Sequence, residues 1–269
     1  MKLSIAYAVR VDKGFEALAD IPLNRFLDLL KDVGFDGIEP NVANPFIFDA
    51  RAFLSTCRSR GIEVSALSTG LSYITYGYSL SSKNESVRSK ALEFFRKYIE
   101  VAKILETERV VVGLARGKGG PDESLDTLLD SLRTLLDLAE REGVTILLEP
   151  LNRYETKLIN NIEDFANVYE SLGRPKRLKM LFDTYHMSME NPDLYEALLR
   201  AKKFIGYVHL AENNRFPPGM GMIDWLKFLA LLKAVGYNDY VSIECLPKPT
   251  PEKSVLIGGS TIKRIISEL

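Results

Sequence analysis

Short β-rich runs alternate with longer amphipathic segments along the whole chain, and this alternation constrains the fold more than any other feature. It predicts strand–helix units that build a parallel sheet covered by helices. Eight strands are predicted, at Leu3–Val9, Gly37–Pro40, Glu63–Thr69, Arg109–Ala115, Val144–Pro150, Lys179–Tyr185, Phe204–Ala211 and Tyr240–Leu246. Eight helices are predicted near residues 21–33, 49–60, 84–105, 122–142, 161–172, 193–202, 224–235 and 251–268.

The length of the chain fits one arrangement of eight such units. A chain of 269 residues matches a single (β/α)8 TIM barrel, which typically uses about 250 residues. No linker rich in proline or serine divides the sequence, so we expect one TIM-barrel domain over residues 1–269. A doubly wound open sheet is the alternative, but it would leave two or three units to place in extra layers.

The ends of the helical segments carry the residue types that such ends prefer. Glycines follow several of the segments, where a residue that tolerates positive φ can close the last turn. Asp122, Asn161 and Asp224 precede apolar periodic runs and are predicted to be helix N-caps.

Composition excludes several classes of partner. The 35 Lys and Arg residues balance 36 Asp and Glu residues, so the net charge of −1 gives no field to attract nucleic acid. No run approaches the roughly 18 apolar residues of a membrane span, and the N-terminal apolar run is too short for a signal peptide. Cys57 and Cys245 lie far apart, which fits neither a disulfide framework nor a thiolate metal site. We therefore expect a cytoplasmic protein.

Four consecutive predicted strands end at a potential metal ligand. These residues are Glu149, Asp183, His209 and Glu244. Side chains at the carboxyl ends of TIM-barrel strands face the active site, so we expect the four to converge. A single strand-end carboxylate is more often a cap or half of an ion pair, but three buried acids need a cation or raised pKa values. Three oxygens and one nitrogen suit Mn²⁺, Mg²⁺ or Co²⁺, with Zn²⁺ as the alternative.

Other strand ends and loops give weaker signals. His186 follows Asp183 by three residues, close enough to donate to a substrate hydroxyl. Arg116, in the glycine-rich segment Gly113–Gly120, is a candidate contact for a substrate carboxylate or phosphate, and a solvated turn explains that segment equally well. The aromatic segment Tyr73–Tyr78 is expected to be a loop over the mouth, either a lid or an oligomer contact.

The ends of the first three predicted strands are ambiguous. Tyr7, Glu39 and Thr69 lie there, and pocket lining and local packing explain each of them equally well.

The motifs around the strand ends resemble a known family. The segments Glu149–Glu155, Asp183–His186, His209–Arg215 and Glu244–Leu246 resemble the xylose-isomerase-like barrel superfamily, specifically ketose 3-epimerases of the tagatose 3-epimerase type. The resemblance runs over nearly the whole chain. Within this family, Glu149–Asn160 and Gly113–Gly117 are most similar to bacterial 5-keto-L-gluconate epimerases.

The resemblance implies an isomerase with a resident divalent metal, of which Mn²⁺ is the favoured identity. The implied ligands are Glu149, Asp183, His209 and Glu244, and the two glutamates are also the implied acid/base pair. Glu155, His186 and Arg215 match substrate-binding positions, whereas Met222 stands where relatives often place histidine. The implied reaction inverts C3 of a ketose or keto-sugar acid, for example 5-keto-L-gluconate to D-tagaturonate. A homodimer or homotetramer is also implied.

Three rival functions follow from the same residues. An aldose–ketose isomerase of the hydroxypyruvate isomerase type shares the enediolate chemistry and is the nearest alternative. A metal-dependent phosphodiesterase resembling endonuclease IV needs a multi-zinc, histidine-rich centre, which the two histidines of this chain cannot furnish. A silent sugar-binding protein would leave the two opposed glutamates unexplained.

Overall fold

The computed structural model describes residues 1–9 and 21–269 of the chain. All eight predicted strands are present, although most are shorter than predicted. They are β1 (Lys2–Val9), β2 (Gly37–Val42), β3 (Glu63–Val64), β4 (Arg109–Val112), β5 (Thr145–Leu148), β6 (Leu178–Asp183), β7 (Ile205–Leu210) and β8 (Tyr240–Ile243).

The strands form one parallel sheet in the order β3-β2-β1-β8-β7-β6-β5-β4. Its two outer strands approach each other through Leu67, which follows β3. Leu67 donates its N–H to the Arg109 carbonyl and accepts from the Val111 N–H, both at 2.9 Å. The sheet therefore curls into a barrel, and the predicted TIM-barrel class is confirmed.

The eight predicted helices are all present in the described part of the chain, together with two that were not predicted. The predicted ones are α1 (Leu23–Val33), α2 (Ala50–Arg58), α4 (Glu85–Ile104), α5 (Leu125–Glu142), α6 (Ile162–Ser171), α8 (Leu194–Ala201), α9 (Trp225–Ala234) and α10 (Pro251–Glu268). The additional helices are α3 (Gly70–Tyr76) and α7 (Thr184–Glu190). Most of the aromatic segment expected as a loop therefore lies in α3.

Side-chain caps explain where several helices begin. Asn161 and Asp224 cap α6 and α9 as predicted, each accepting a main-chain N–H of the first turn. The prediction that Asp122 is a helix N-cap is wrong. The Ser124 hydroxyl accepts the main-chain N–H of Thr127, so Ser124 is the N-cap and α5 begins at Leu125. The sixth strand stops at Asp183 because its carboxylate caps α7 and thereby turns the chain into a helix.

Side chains fill the barrel, which leaves its chemistry at one end. Val111, Leu147, Leu181 and Tyr207 are buried inside it. Tyr240 closes the amino-terminal end of the strands, and the cationic groups of Lys2 and Arg109 lie 5.3 and 6.0 Å from the centre of its ring. None of the helices in the described residues is long and apolar enough to cross a membrane.

Candidate metal centre and substrate cavity

A cavity of about 390 Å³ opens at the carboxyl ends of the strands. Residues from both halves of the barrel line it. The polar members of its wall are Asn41, Ser68, Glu149, Glu155, His186, His209, Arg215 and Glu244. Three of the four strand ends that were predicted to face the active site therefore line this cavity.

The four predicted ligands lie together beside this cavity, with Asp183 behind its wall. One ligand atom from each of Glu149, Asp183, His209 and Glu244 lies within 4.8 Å of the other three. His209 Nδ1 is 3.7 Å from Glu149 Oε1 and 3.7 Å from Asp183 Oδ2. The same nitrogen is 3.5 Å from Glu244 Oε2. The convergence expected from four strand ends is thus observed.

Unpaired polar atoms show that this cluster fits a metal ion. Among the described residues, Glu149 Oε1, Asp183 Oδ2 and His209 Nδ1 are buried without a hydrogen-bond partner, which is uncommon for buried polar atoms. Metal bonds of about 2.0–2.2 Å would separate neighbouring donor atoms by roughly 3 to 4 Å, close to the spacings of this cluster. Three carboxylates and one imidazole are a donor set for a divalent cation.

Local hydrogen bonds fix the carboxylates at the strand ends. The main-chain N–H of Glu149 donates to the Val112 carbonyl at 3.1 Å, so the sheet ladder continues one residue past β5. Glu244 continues β8 in the same way, with its N–H bonded to the Leu210 carbonyl at 3.2 Å. The two carboxylate oxygens of Asp183 have different partners. Oδ1 accepts main-chain N–H groups at the start of α7, whereas Oδ2 faces the cluster.

Glu39 is a functional candidate whose role the sequence left ambiguous. Both of its carboxylate oxygens lie 3.0 Å from His209 Nε2, and the Ser68 hydroxyl donates to the same carboxylate. When Nε2 donates to Glu39, Nδ1 presents its lone pair to the cluster. A carboxylate behind a metal-binding histidine fixes its tautomer and ring orientation in this way. The only signal in the sequence was an acid at the end of a strand.

The surroundings push the pKa values of the two glutamates in opposite directions. Burial raises the pKa of Glu149 above its ordinary value. Burial also opposes ionisation of Glu244, but the charges of His209 and Arg215 outweigh it and hold its pKa well below the usual range. These directions hold for the cluster with His209 protonated on both ring nitrogens, and a metal ion at Nδ1 would replace one of those protons.

Three of the four predicted substrate contacts, Glu155, His186 and Arg215, line the cavity. Arg215 Nη1 donates to Glu155 Oε1 at 2.8 Å, and Nη2 donates to Glu244 Oε2 at 3.5 Å. His186 Nδ1 lies 2.8 Å from Asn152 Nδ2 and accepts the Asn152 main-chain N–H at 3.3 Å. These contacts assign the ring proton to Nε2, which lies 3.8 Å from Glu149 Oε1.

Arg116 is not brought to the cavity. Its side chain is fully buried, and its guanidinium donates to the main-chain carbonyl of Glu149. Burial lowers the pKa of Arg116 to about 10. The sequence could not predict this burial, because arginine is almost never fully buried and a glycine-rich loop is normally exposed to solvent.

The amides of the glycine-rich loop already have an acceptor. The main-chain N–H groups of Lys118, Gly119 and Gly120 all donate to Glu123 Oε2, at 2.8, 2.7 and 3.1 Å. Glu123 therefore occupies the amides of the loop that the sequence suggested as a contact for a substrate carboxylate or phosphate.

The fold and the site together define a TIM-barrel protein with a candidate divalent-metal centre at the carboxyl ends of its strands. The chain belongs to the xylose isomerase-like TIM barrel family, whose family model matches residues 27–258.

Relatives refine this assignment to epimerases. The 3-dehydro-D-guloside 4-epimerase of Escherichia coli K12 is 30% identical over 230 residues, which cover 80% of this chain and 84% of the relative. The ketose 3-epimerase of Arthrobacter globiformis is 30% identical over 235 residues, which cover 85% of this chain and 80% of the relative. The expectation of an isomerase is confirmed, since these homologues are epimerases.

Solved structures agree with the fold. An E. coli 3-keto-D-glucoside 4-epimerase superposes with a TM-score of 0.80 at 24% identity, covering 99% of each chain. An L-ribulose 3-epimerase gives a TM-score of 0.80 at 26% identity and covers 98% of this chain and 93% of its own.

Proposed function

We propose that this protein is a divalent-metal-dependent epimerase that inverts the carbon beside the ketone of a sugar. The substrate is a ketose or a keto-sugar acid, for example 5-keto-L-gluconate, which gives D-tagaturonate. Glu149 and Glu244 are the proposed acid/base pair, and Mn²⁺ is the proposed metal.

One observation carries this proposal. Glu149 and Glu244 both belong to the ligand cluster and both line the cavity, whereas Asp183 belongs to the cluster but lies behind the cavity wall. They follow β5 and β8, so they approach a bound substrate from different sides. The resemblance to two epimerases at 30% identity supports the same chemistry.

The proton transfers follow from this arrangement. One glutamate carboxylate takes the proton from the carbon next to the ketone, and the electron pair of the broken C–H bond moves onto the carbonyl oxygen to give an enediolate. The other glutamate, in its acid form, delivers a proton to the opposite face of that carbon. A divalent cation bound to the cluster supplies Lewis-acid stabilisation of the negative charge, worth several kcal/mol. The stereochemistry of the substrate decides which glutamate acts first.

The remaining polar groups of the wall bind and orient the sugar. His186 presents its Nε2 proton beside Glu149, since Nδ1 is engaged by Asn152. Arg215 bridges Glu155 and Glu244, which places donors and acceptors next to one of the two proposed bases. Groups held in this way favour a single substrate orientation, which is a large part of the rate enhancement of such a site.

A second candidate is 4-epimerisation of a 3-keto sugar. It is favoured by the E. coli relative, which is named for that activity and matches this chain at the same 30% identity as the ketose 3-epimerase. The chemistry is the same, because C4 of a 3-keto sugar is also next to the ketone. The two candidates differ only in how the sugar is presented to the two glutamates.

Deuterium exchange distinguishes the candidates. Protein loaded with Mn²⁺ or Co²⁺ and then desalted is incubated in D₂O with fructose, psicose, tagatose, 5-keto-L-gluconate, tagaturonate or a methyl 3-keto-glucoside. The sugars are separated by ultrafiltration and examined by proton NMR. We expect deuterium at the inverted carbon of a ketose or keto-sugar acid, and no exchange after chelation.

Other outcomes are equally decisive. Inversion of the 3-keto-glucoside alone would replace the proposal with the second candidate, and transfer of the carbonyl to a neighbouring carbon would identify an isomerase. No exchange in any sugar would overturn the epimerase proposal. Asp183→Asn is the matched control, because it removes a proposed ligand from behind the cavity wall; it should abolish exchange together with metal binding.

A further inference from the structure

We infer that Glu212 is a positioning residue, which holds Arg215 in the cavity by fixing the loop between β7 and α9. This buried acid had no role in the sequence analysis. Its effect on turnover rests on the proposed function, but its effect on the loop does not.

The Glu212 carboxylate joins three distant points of this loop. Its side chain is fully buried. Oε1 accepts the main-chain N–H of Gly219 and the indole N–H of Trp225, both at 2.7 Å. Oε2 accepts the main-chain N–H of Ile223 at 3.1 Å. One carboxylate thus satisfies donors from the middle of the loop, its end and the first residue of α9.

The main chain of Glu212 closes the turn that carries Arg215. Its N–H donates to the Phe216 carbonyl at 3.0 Å, and its carbonyl accepts the Arg215 N–H at 2.8 Å. Arg215 has a φ of 63°, in the left-handed region that few residues other than glycine adopt. The Leu246 N–H donates to the Arg215 carbonyl at 2.8 Å and ties this turn to the segment after β8. Surrounding bonds of this kind are what hold a strained residue in place.

The loop also packs closely against the Glu212 carboxylate at Gly221. A Cβ atom added at Gly221 would lie 2.4 Å from Glu212 Oε2 and 2.7 Å from Glu212 Cβ. The loop therefore folds directly against the carboxylate, and only glycine fits at this point.

These contacts have a consequence for the cavity. The guanidinium of Arg215 reaches Glu155 and Glu244 and lies 4.9 Å from the centre of the Tyr185 ring. If Glu212 loses its charge, the donors of Gly219, Ile223 and Trp225 are no longer all satisfied. Buried unpaired donors are costly, so the loop reorganises and Arg215 leaves this position.

Trp225 is the only tryptophan of the chain, which allows a direct test. Glu212→Gln keeps the size of the side chain but replaces one oxygen, a hydrogen-bond acceptor, with an amide NH₂ group, which is a donor. In ¹H–¹⁵N spectra of the full-length protein, the single indole signal should shift, and its exchange with solvent should become about tenfold faster or more. The guanidinium Nε signal of Arg215, assigned by its loss in Arg215→Lys, should shift as well.

The matched control is Glu123→Gln. Glu123 also holds a loop by accepting three main-chain N–H groups, but that loop carries no charged side chain into the cavity wall among the residues that the structure describes. The indole and Arg215 signals should stay in place in this variant. An unchanged indole signal in Glu212→Gln, or equal shifts of the Arg215 signal in both variants, would overturn the inference.

Kinetics test the same inference on the sugar identified by deuterium exchange. Glu212→Gln should lower kcat/KM about tenfold or more, and in an Arg215→Met background it should change kcat/KM less than about twofold. Additive losses would show that Glu212 does not act through Arg215.

A second variant covers the case in which Glu212→Gln does not fold. Trp225→Phe removes one of the three donors and should give a smaller loss that also disappears in the Arg215→Met background. If wild-type protein turns over no sugar, the proposed function fails, and the two NMR signals still decide the inference about Glu212.

Discussion

The two halves of the cavity wall are built from the same strand–helix unit but carry different chemistry. The half that follows β5 to β8 presents the charged groups, including Glu149, His209 and Glu244. The half that follows β1 to β4 is mostly apolar, with Ala6, Ala8, Leu71, Ile74, Val111 and Leu114 beside Asn41 and Ser68. Since the backbone architecture is shared, the residue at the end of each strand decides what each half does.

The apolar half still supports the charged one at a specific point. Glu39 belongs to β2, and both of its carboxylate oxygens lie 3.0 Å from His209 Nε2. The charged half therefore holds the reacting groups, and the apolar half shapes the space and orients one ligand. Substitutions in both halves test this division, in order from the largest expected effect to the smallest.

Loss of either proposed base should have the largest effect. Glu149→Gln and Glu244→Gln should each lower kcat by about 10³-fold or more, because an amide cannot transfer the proton. Initial rates are measured with metal content verified in each variant. Glu190→Gln is the control, since this buried acid pairs with Arg153 outside the cavity wall and should leave kcat nearly unchanged. Full activity in a metal-loaded Glu149→Gln or Glu244→Gln protein would end the two-base scheme.

Loss of the support from the apolar half should weaken metal binding. Glu39→Gln should lower the affinity for the divalent metal about 10- to 100-fold, because the His209 ring loses the carboxylate that fixes its tautomer. Calorimetric titration of metal-free protein measures this. Ser68→Ala, which removes only the hydroxyl bonded to Glu39, should have a smaller effect. Equal affinities in the wild type and Glu39→Gln would contradict the role assigned to this residue.

A substitution within the apolar wall should change binding and spare the chemistry. Ile74 lines the cavity and is 48% exposed, so Ile74→Ala should raise KM about fivefold through lost apolar contact. We expect kcat to change less than about twofold, because contacts that are equal in the ground and transition states affect KM alone. Steady-state kinetics with the best substrate decide the matter. A large fall in kcat would show that the apolar half takes part in the reaction.

The smallest effect concerns stability and its pH dependence. Burial opposes ionisation of Glu123, but the Ser79 hydroxyl and three main-chain amides outweigh it and lower its pKa. A lowered folded-state pKa stabilises the protein above the unfolded-state pKa of about 4.3, and this stabilisation disappears as the pH falls through the folded-state value.

Glu123→Gln should therefore cost on the order of 1 kcal/mol of unfolding free energy between about pH 6 and 8. The difference from the wild type should shrink as the pH falls below about 4. Urea unfolding at a series of pH values measures it, and a difference that does not depend on pH would contradict this account.

The ligand cluster could be predicted from the sequence because strand ends are local features. Glu149, Asp183, His209 and Glu244 each terminate an apolar run, and the barrel brings such positions together. The partners of these residues could not be predicted in the same way. Glu39 and His209 are 170 positions apart, and only the closed barrel makes them neighbours.

The additional helices and the buried arginine escaped prediction for different reasons. Helix α7 begins because the side chain of Asp183, the last residue of β6, caps it, whereas the sequence predicts a strand that continues to Tyr185. Helix α3 begins at Gly70, a residue type that disfavours helices. The guanidinium of Arg116 donates to a main-chain carbonyl. Every residue type has this group, so the sequence cannot show which carbonyl an arginine contacts.

The carboxylate of Glu123 decides whether the amides of the glycine-rich loop are free to bind an anion. Amides arranged in this way attract anions, and here the anion belongs to the chain itself. A short flexible tether gives an internal ligand an effective concentration in the millimolar range. An external anion would have to displace this built-in carboxylate to reach the same amides, so the loop stays closed to anions while Glu123 is in place.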